Sequence, residues 1–236
     1  MLALLLATHF LYPAGAPLAR YDFLTLAALA IQVAMLALRL ETLEEAKVIL
    51  AFHVVGTAME LFKTAAGSWL YPEPSLLRIG DVPLFSGFMY AAVGSYLARV
   101  WRIFEMRFEP YPRSPWPELL AVLVYVNFFA HHWLPDIRIA LFAMMIFLFT
   151  RTRAHFTVWR EERWMPLLVG WLLVALFIWL AENLGTFARA WSYPDQANGW
   201  AMVSPAKLGA WYLLMYISFV LVALLHRLQC RESDED

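Results

Sequence analysis

Apolar positions along the chain gather into eight runs, at 2–12, 22–40, 46–66, 82–104, 117–134, 136–150, 165–185 and 207–228, separated by charged or proline-rich segments. Most approach the ~20 residues a helix needs to cross the hydrocarbon core of a bilayer. The run 136–150 is shorter, with Arg151 and Arg153 placed to snorkel at its end. Residues 2–12 are shorter still and predict a first helix that is shortened or partly outside the bilayer. The small residues at 14–16 and Ala19 after that run also suit a signal peptide. The lack of a basic n-region, and a counterpart to the run in mid-chain, favour a retained helix. The pattern predicts an all-α, polytopic membrane helix bundle of about eight helices, the first one short.

Composition agrees with this reading. Hydrophobic residues make up 62% of 236 and charged ones 16%, against about 45–50% and 25% in soluble domains. The lone Cys230 excludes an internal disulfide. A formal net charge of -1 gives no sign of a nucleic-acid partner, so the bilayer is the expected surrounding. Glu232 to Asp236 read as a short solvated acidic tail.

Shifted against itself by 122 positions, the chain repeats. Between 60 and 90, nine of 31 aligned residues are identical, among them Glu60/Glu182, Trp69/Trp191, Tyr71/Tyr193, Pro72/Pro194 and Tyr90/Tyr212, and the same offset pairs His9 with His131. These are not the Leu and Ala that apolar helices share trivially. Two membrane repeats are expected, 1–118 and 119–236, integrated into one membrane domain. Each carries four helices, an even number, so both enter the membrane from the same side as parallel repeats about a pseudo-twofold axis along the normal. Twelve of the eighteen Lys and Arg fall on the side of the C-terminus, which the positive-inside rule places in the cytoplasm of a bacterial inner membrane. The loops 67–81 and 188–206, with their Trp-x-Tyr-Pro motifs, then face outward. There Trp69, Tyr71, Trp191 and Tyr193 suit interfacial anchoring, Pro72, Pro74 and Pro194 helix termination, and Pro83 and Pro205 the first turn of the next helix.

Glu60 lies in an otherwise apolar helix, where an ionisable group is costly unless it faces a partner or a cavity. His53, Gly56, Glu60, Lys63 and Gly67 follow at spacings of 3 and 4 and share one face. Lys63, one turn away, offers a self-compensated ion pair. The second half keeps the carboxyl as Glu182 but has Gly185 where Lys63 stands, with Asn183 and Arg189 as polar neighbours. The carboxyls are thus the common requirement and the catalytic candidates, suited to a proton donor or a proton-coupled gate. His9 and His131 are expected at similar depth, with Asn127 one turn before His131 as its partner and His132 at the surface. Two His and two Glu invite a metal, yet no tight ligand motif supports one, and neither metal nor cofactor is expected. Tyr90, Tyr212, Trp69 and Trp191 are the supporting aromatic candidates. No Walker loop, dinucleotide-binding glycine pattern, Cys-x-x-Cys pair or serine elbow is present.

At Glu60-Leu-Phe-Lys-Thr, Gly67-Ser-Trp-Leu-Tyr-Pro and Gly80-Asp-Val-Pro-Leu-Phe-Ser-Gly-Phe-Met-Tyr90 the chain resembles the YoaT-like family of uncharacterised bacterial integral membrane proteins (domain of unknown function 817). That likeness covers nearly the whole chain and implies a membrane location without an activity. A fainter likeness runs to the carotenoid hydratases and small lycopene cyclases, carried by the acidic residue ahead of Trp69-Leu-Tyr71. The chain departs from them at Leu84-Phe85 and Ala206-Lys207, where the cyclase-type Pro-x-Glu carboxylates are missing.

Two functions follow as expectations. One is an enzyme acting on a lipid-soluble, isoprenoid-like substrate, with Glu60 or Glu182 as proton donor where water is limited. The alternative is a proton-coupled transporter or channel for a small polar solute. Either requires both carboxyls to point inward, Glu60 toward Lys63 or the second half and Glu182 toward Arg189, Tyr90 or Tyr212.

Overall fold

The computed structural model describes residues 1–131 and 133–235, with side chains as far as Leu225. The expectations for His132, Cys230 and the acidic tail lie outside it. The protein is mostly helical, at 63%. Among the described residues eight α-helices coincide with the eight apolar runs: α1 Leu2–Leu11, α2 Arg20–Ala37, α3 Leu43–Ala65, α4 Phe85–Ile103, α5 Trp116–Ala130, α6 Arg138–Phe149, α7 Leu167–Phe187 and α8 Ala206–Glu235. Helices α2, α3, α7 and the segment Ala206–Leu225 of α8 are long and apolar enough to cross a membrane.

Four helices end the same way. Arg39, Gly67, Glu105 and Arg189 lie in the left-handed region, at φ of 55, 70, 48 and 52°, just beyond α2, α3, α4 and α7. After each, the next amide bonds back five residues: Leu40 to Met35, Ser68 to Lys63, Met106 to Trp101 and Ala190 to Gly185, at 2.9–3.0 Å. This is the Schellman arrangement, which satisfies carbonyls that the last turn leaves open. It stops α3 and α7 several residues before the prolines expected to end them. Pro194 instead opens a 3₁₀ turn, Pro194–Gln196. Pro83 lies not in α4 but in β2 (Val82–Pro83), paired antiparallel with β1 (Arg78–Ile79) across a turn at Gly80, φ 57°.

The chain divides into two compact units whose limits differ from the repeat boundary at 118/119. The first comprises 1–95 and 180–203, the second 96–179 and 204–236. In the first, α3 and α4 pack with little between them. A Cβ on Gly56 would come within 2.6 Å of Tyr90 Cβ, one on Gly87 within 2.6 Å of the His53 ring, and one on Gly94 within 2.7 Å of the Phe52 ring. Leu5 of α1, Tyr21 and Leu24 of α2, Phe85, Ala188 and Ala190 form a buried cluster. At the other end of α3, Thr42 and Glu45 build a capping box, and Glu41 accepts from Ser95 and, at 2.6 Å, from Gln32.

The second unit is centred on Phe149, Trp171, Tyr216 and Phe219, whose rings meet at 5.0–5.7 Å. Segments expected as plain loops supply a three-stranded antiparallel sheet of β3 (Arg107–Glu109), β4 (Arg153–Val158) and β5 (Glu161–Pro166). Trp159 and Arg160 join β4 to β5, with Trp159 at φ 60°. The charged run Arg160-Glu161-Glu162-Arg163 is exposed on this hairpin, where Arg107 pairs with Glu162 at 2.8 Å.

Candidate functional site

Glu60 and Glu182 lie on the C-terminal turns of α3 and α7, both in the first compact unit and both only 3% exposed. They are close enough to act on each other electrostatically. The left-handed caps at Gly67 and Arg189 send the chain back across the helix ends, so that the residues eleven positions after each Glu return to it. Tyr71 donates its hydroxyl to Glu60 Oε2 at 2.6 Å, and Tyr193 donates to Glu182 Oε1. Glu60 also accepts from the Trp69 indole at 2.7 Å and from Tyr90 of α4 at 2.7 Å. An indole nitrogen only donates, so Oε2 serves as an acceptor, and Oε1 takes the Tyr90 hydroxyl.

The two returning segments meet. Leu70 and Ser192 form an antiparallel bridge with reciprocal N–H to carbonyl bonds of 3.0 and 2.9 Å. They are themselves 122 positions apart. The Trp69 and Tyr193 rings on either side of the bridge approach edge-on at 6.2 Å. Burial, followed by the charge of Glu60, pushes the Tyr71 hydroxyl well above the ordinary phenol range, and burial and Glu182 do the same for Tyr193. Both therefore remain donors at ordinary pH.

A second ring of contacts holds these segments from α2. Arg20 makes a two-pronged pair with Glu73, at 2.9 and 2.8 Å, and donates at 2.9 Å to the carbonyls of Ala188 and Arg189. Asp22, 1% exposed, accepts from the amides of Leu76 and Leu77. Two charges at the start of one helix thus fix the returning segments, with the bidentate geometry that suits arginine to this task. On the far side, Gln196 accepts from the Tyr193 amide at 3.1 Å.

Residues 1–219 match the model of the family described as protein of unknown function (DUF817). The chain belongs to that family. An uncharacterized protein, YoaT, of Bacillus subtilis (strain 168) is 42% identical over 212 residues, 90% of this chain and 80% of that one. No solved structure matches.

The other candidates in this DUF817 chain take several places. Lys63 is buried one turn beyond Glu60. Trp191 lies over Gly185, where a Cβ would enter its ring; the glycine that replaces lysine at this point makes room for the indole. His53 packs on Phe88 at 4.7 Å, and His9 on Phe10 and Phe187 at 4.8 and 5.7 Å. His131, Asn127 and Tyr212 belong to the second unit. His131 Nδ1 meets the Asn127 carbonyl at 3.0 Å, while the Asn127 side chain binds Asp136 and the Ile137 amide. Tyr212 donates to the Leu168 carbonyl at 2.9 Å rather than to a carboxyl. The side chain expected beside Glu182 was Arg189, Tyr90 or Tyr212. Tyr193 donates to Glu182 and Tyr90 lies within its electrostatic reach, while Arg189 is exposed and offers Arg20 its carbonyl. Among the described residues no group of three His, Cys, Asp or Glu is placed to hold a metal ion.

Tyr71 and Tyr193 are the main omissions of the sequence reading, which gave them to the membrane interface. The repeated Glu-x10-Tyr spacing was the signal that finds them. Arg20, Asp22 and Glu73 left no comparable trace.

Proposed function

We propose that this chain is a bacterial inner-membrane enzyme that protonates a lipid-soluble, isoprenoid-like substrate at the Glu60–Glu182 pair. In this reading the C-terminus is cytoplasmic and the halves are parallel repeats. The observation that carries it is the pair itself: two carboxyls withdrawn from water and lipid, each gripped by the tyrosine eleven residues on. A reciprocal bridge between Leu70 and Ser192, equivalent positions of the two halves, supports the repeat, since a twofold axis pairs a residue with its own counterpart.

Glu182 is the donor in this mechanism. Its O–H bond breaks as a C–H bond forms at an alkene carbon, and Tyr193 steadies the carboxylate left behind. The carbocation then loses a neighbouring proton to Glu60, whose three donors already present it as an acceptor. The outcome is an isomerised or cyclised product of unchanged mass.

The test compares extracted lipids of a deletion strain with those of the strain complemented by wild type, Glu60→Gln or Glu182→Gln. Accumulation of an isoprenoid precursor in the deletion and in both variants, with loss of its isomer, is expected. Identical profiles in all strains would overturn the enzyme reading. Proton flux in proteoliposomes that disappears in both variants, against unchanged lipids, would establish the proton-coupled transporter instead.

A further inference from the structure

His53 stands ten residues into the 23-residue α3, about 15 Å from its start at 1.5 Å per residue, at mid-membrane depth if α3 spans. Its ring is fixed on one side only. Nδ1 is buried with no hydrogen-bond partner, because that edge lies on Gly87, where a Cβ would come within 2.6 Å of Nδ1 and of Cε1. Phe88 covers one ring face at 4.7 Å, and Thr57 is engaged with the His53 carbonyl at 2.7 Å. Yet the residue is only partly buried, so the exposure belongs to the opposite Cδ2–Nε2 edge, at the seam between α3 and α4.

The tautomer follows from this packing. A proton on Nδ1 would be confined against the Gly87 backbone in the packed α3–α4 contact, without a well-formed hydrogen bond, whereas on Nε2 it faces the open side. An imidazole N–H turned to the hydrocarbon of a bilayer is costly unless something accepts from it. A hydroxyl or carbonyl oxygen on a lipid-soluble molecule supplies that acceptor and reaches the seam laterally, without leaving the apolar phase.

We propose that His53 is a binding residue for the oxygen-bearing end of an isoprenoid-like ligand that enters between α3 and α4 from the bilayer. The inference rests on the lipid-soluble substrate proposed above and narrows its class. Glu60 is seven residues further along the same face, about 10 Å. The substrate is therefore an oxygenated isoprenoid whose reacting double bond lies about 10 Å from its oxygen. Gly87 is part of the subsite, because any side chain there would push the imidazole off its seat.

The experiment uses the full chain in lipid nanodiscs, labelled with ¹⁵N-histidine. The probes are geranylgeraniol and phytane, C20 chains with and without a hydroxyl. Geranylgeraniol is expected to shift one of six histidine spin systems, assigned as His53 by its loss in His53→Gln, and to bind about tenfold more tightly than phytane, as one added hydrogen bond predicts. His53→Phe and Gly87→Ala should each bind both probes alike. Equal shifts with both probes, or an undiminished preference for the alcohol in His53→Phe, would overturn the proposal. If His53→Phe fails to fold, Gly87→Ala carries the same test. Repeating the binding in the Glu60→Gln, Glu182→Gln double variant separates the two readings. A preference that survives there without any turnover in the wild type refutes the chemistry alone; turnover with no preference refutes the subsite alone.

Discussion

Arg189 occupies a backbone conformation that suits glycine, and its counterpart 122 positions earlier is Gly67. Both residues close the same Schellman cap, at φ 52 and 70°. A non-glycine residue in this region costs about 1–2 kcal/mol. What Arg189 contributes in return is a carbonyl turned to Arg20 and Tyr21, which glycine supplies equally well. Arg189→Gly is therefore expected to stabilise by about 1 kcal/mol, raising Tm in detergent by roughly 2–4 °C, and Gly67→Arg to lower it by a similar amount. A lower Tm for Arg189→Gly would show that the exposed side chain contributes more than the backbone loses. The site tyrosines make a second prediction. Their raised phenol range keeps Tyr71 and Tyr193 protonated while ordinary tyrosines titrate near pH 10. Replacing either by Phe should leave the rise in tyrosinate absorbance through pH ~10 unchanged; a drop of one tyrosine's amplitude in that range would contradict the burial and donor roles assigned to them.

The elements that position the site are the segments after α3 and α7, and their anchor is the first turn of α2. Arg20→Met removes the partner of Glu73 and two carbonyl bonds at once. Losing a largely buried charge pair in this way costs about 2–3 kcal/mol. Hydrogen exchange should report it locally, as lost protection of the Leu70 and Ser192 amides while the helix interiors keep theirs. Uniformly lowered protection would mean that Arg20 supports the whole unit instead. Helices were legible because long apolar runs leave few alternatives at these lengths. The sheet of the second unit was not. Its strands carry mixed charge, and the two-residue turn at Trp159-Arg160 lacks the Asn-Gly or Asp-Gly signature that marks a tight hairpin. The helix terminators were misassigned for a related reason: the prolines after 71 and 193 are conspicuous, whereas the caps at Gly67 and Arg189 act earlier, one of them through a residue that no preference table selects.

At the scale of the whole molecule, the self-alignment singled out Glu60 and Glu182 before any geometry was known, and both are buried in one compact unit. Their surroundings were only half legible. Spacing along a helix proposed Lys63, which is buried one turn from Glu60; the bonds from Trp69 and Tyr71 come from chain that leaves the helix and turns back, which no helical periodicity encodes. Likewise Tyr90 reaches Glu60 while its counterpart Tyr212 does not, so equivalence in sequence does not carry over to equivalence of contact. The central claim is that this pair delivers a proton to a carbon atom, and solvent deuterium tests it most directly. Membranes containing the protein and their native isoprenoid lipids are incubated in D₂O, then extracted and analysed by mass spectrometry. Wild type should place deuterium on carbon in one isoprenoid species, stable to washing in H₂O, and the Glu60→Gln, Glu182→Gln double variant should not. Equal labelling in wild type and double variant, or none in either, would contradict it.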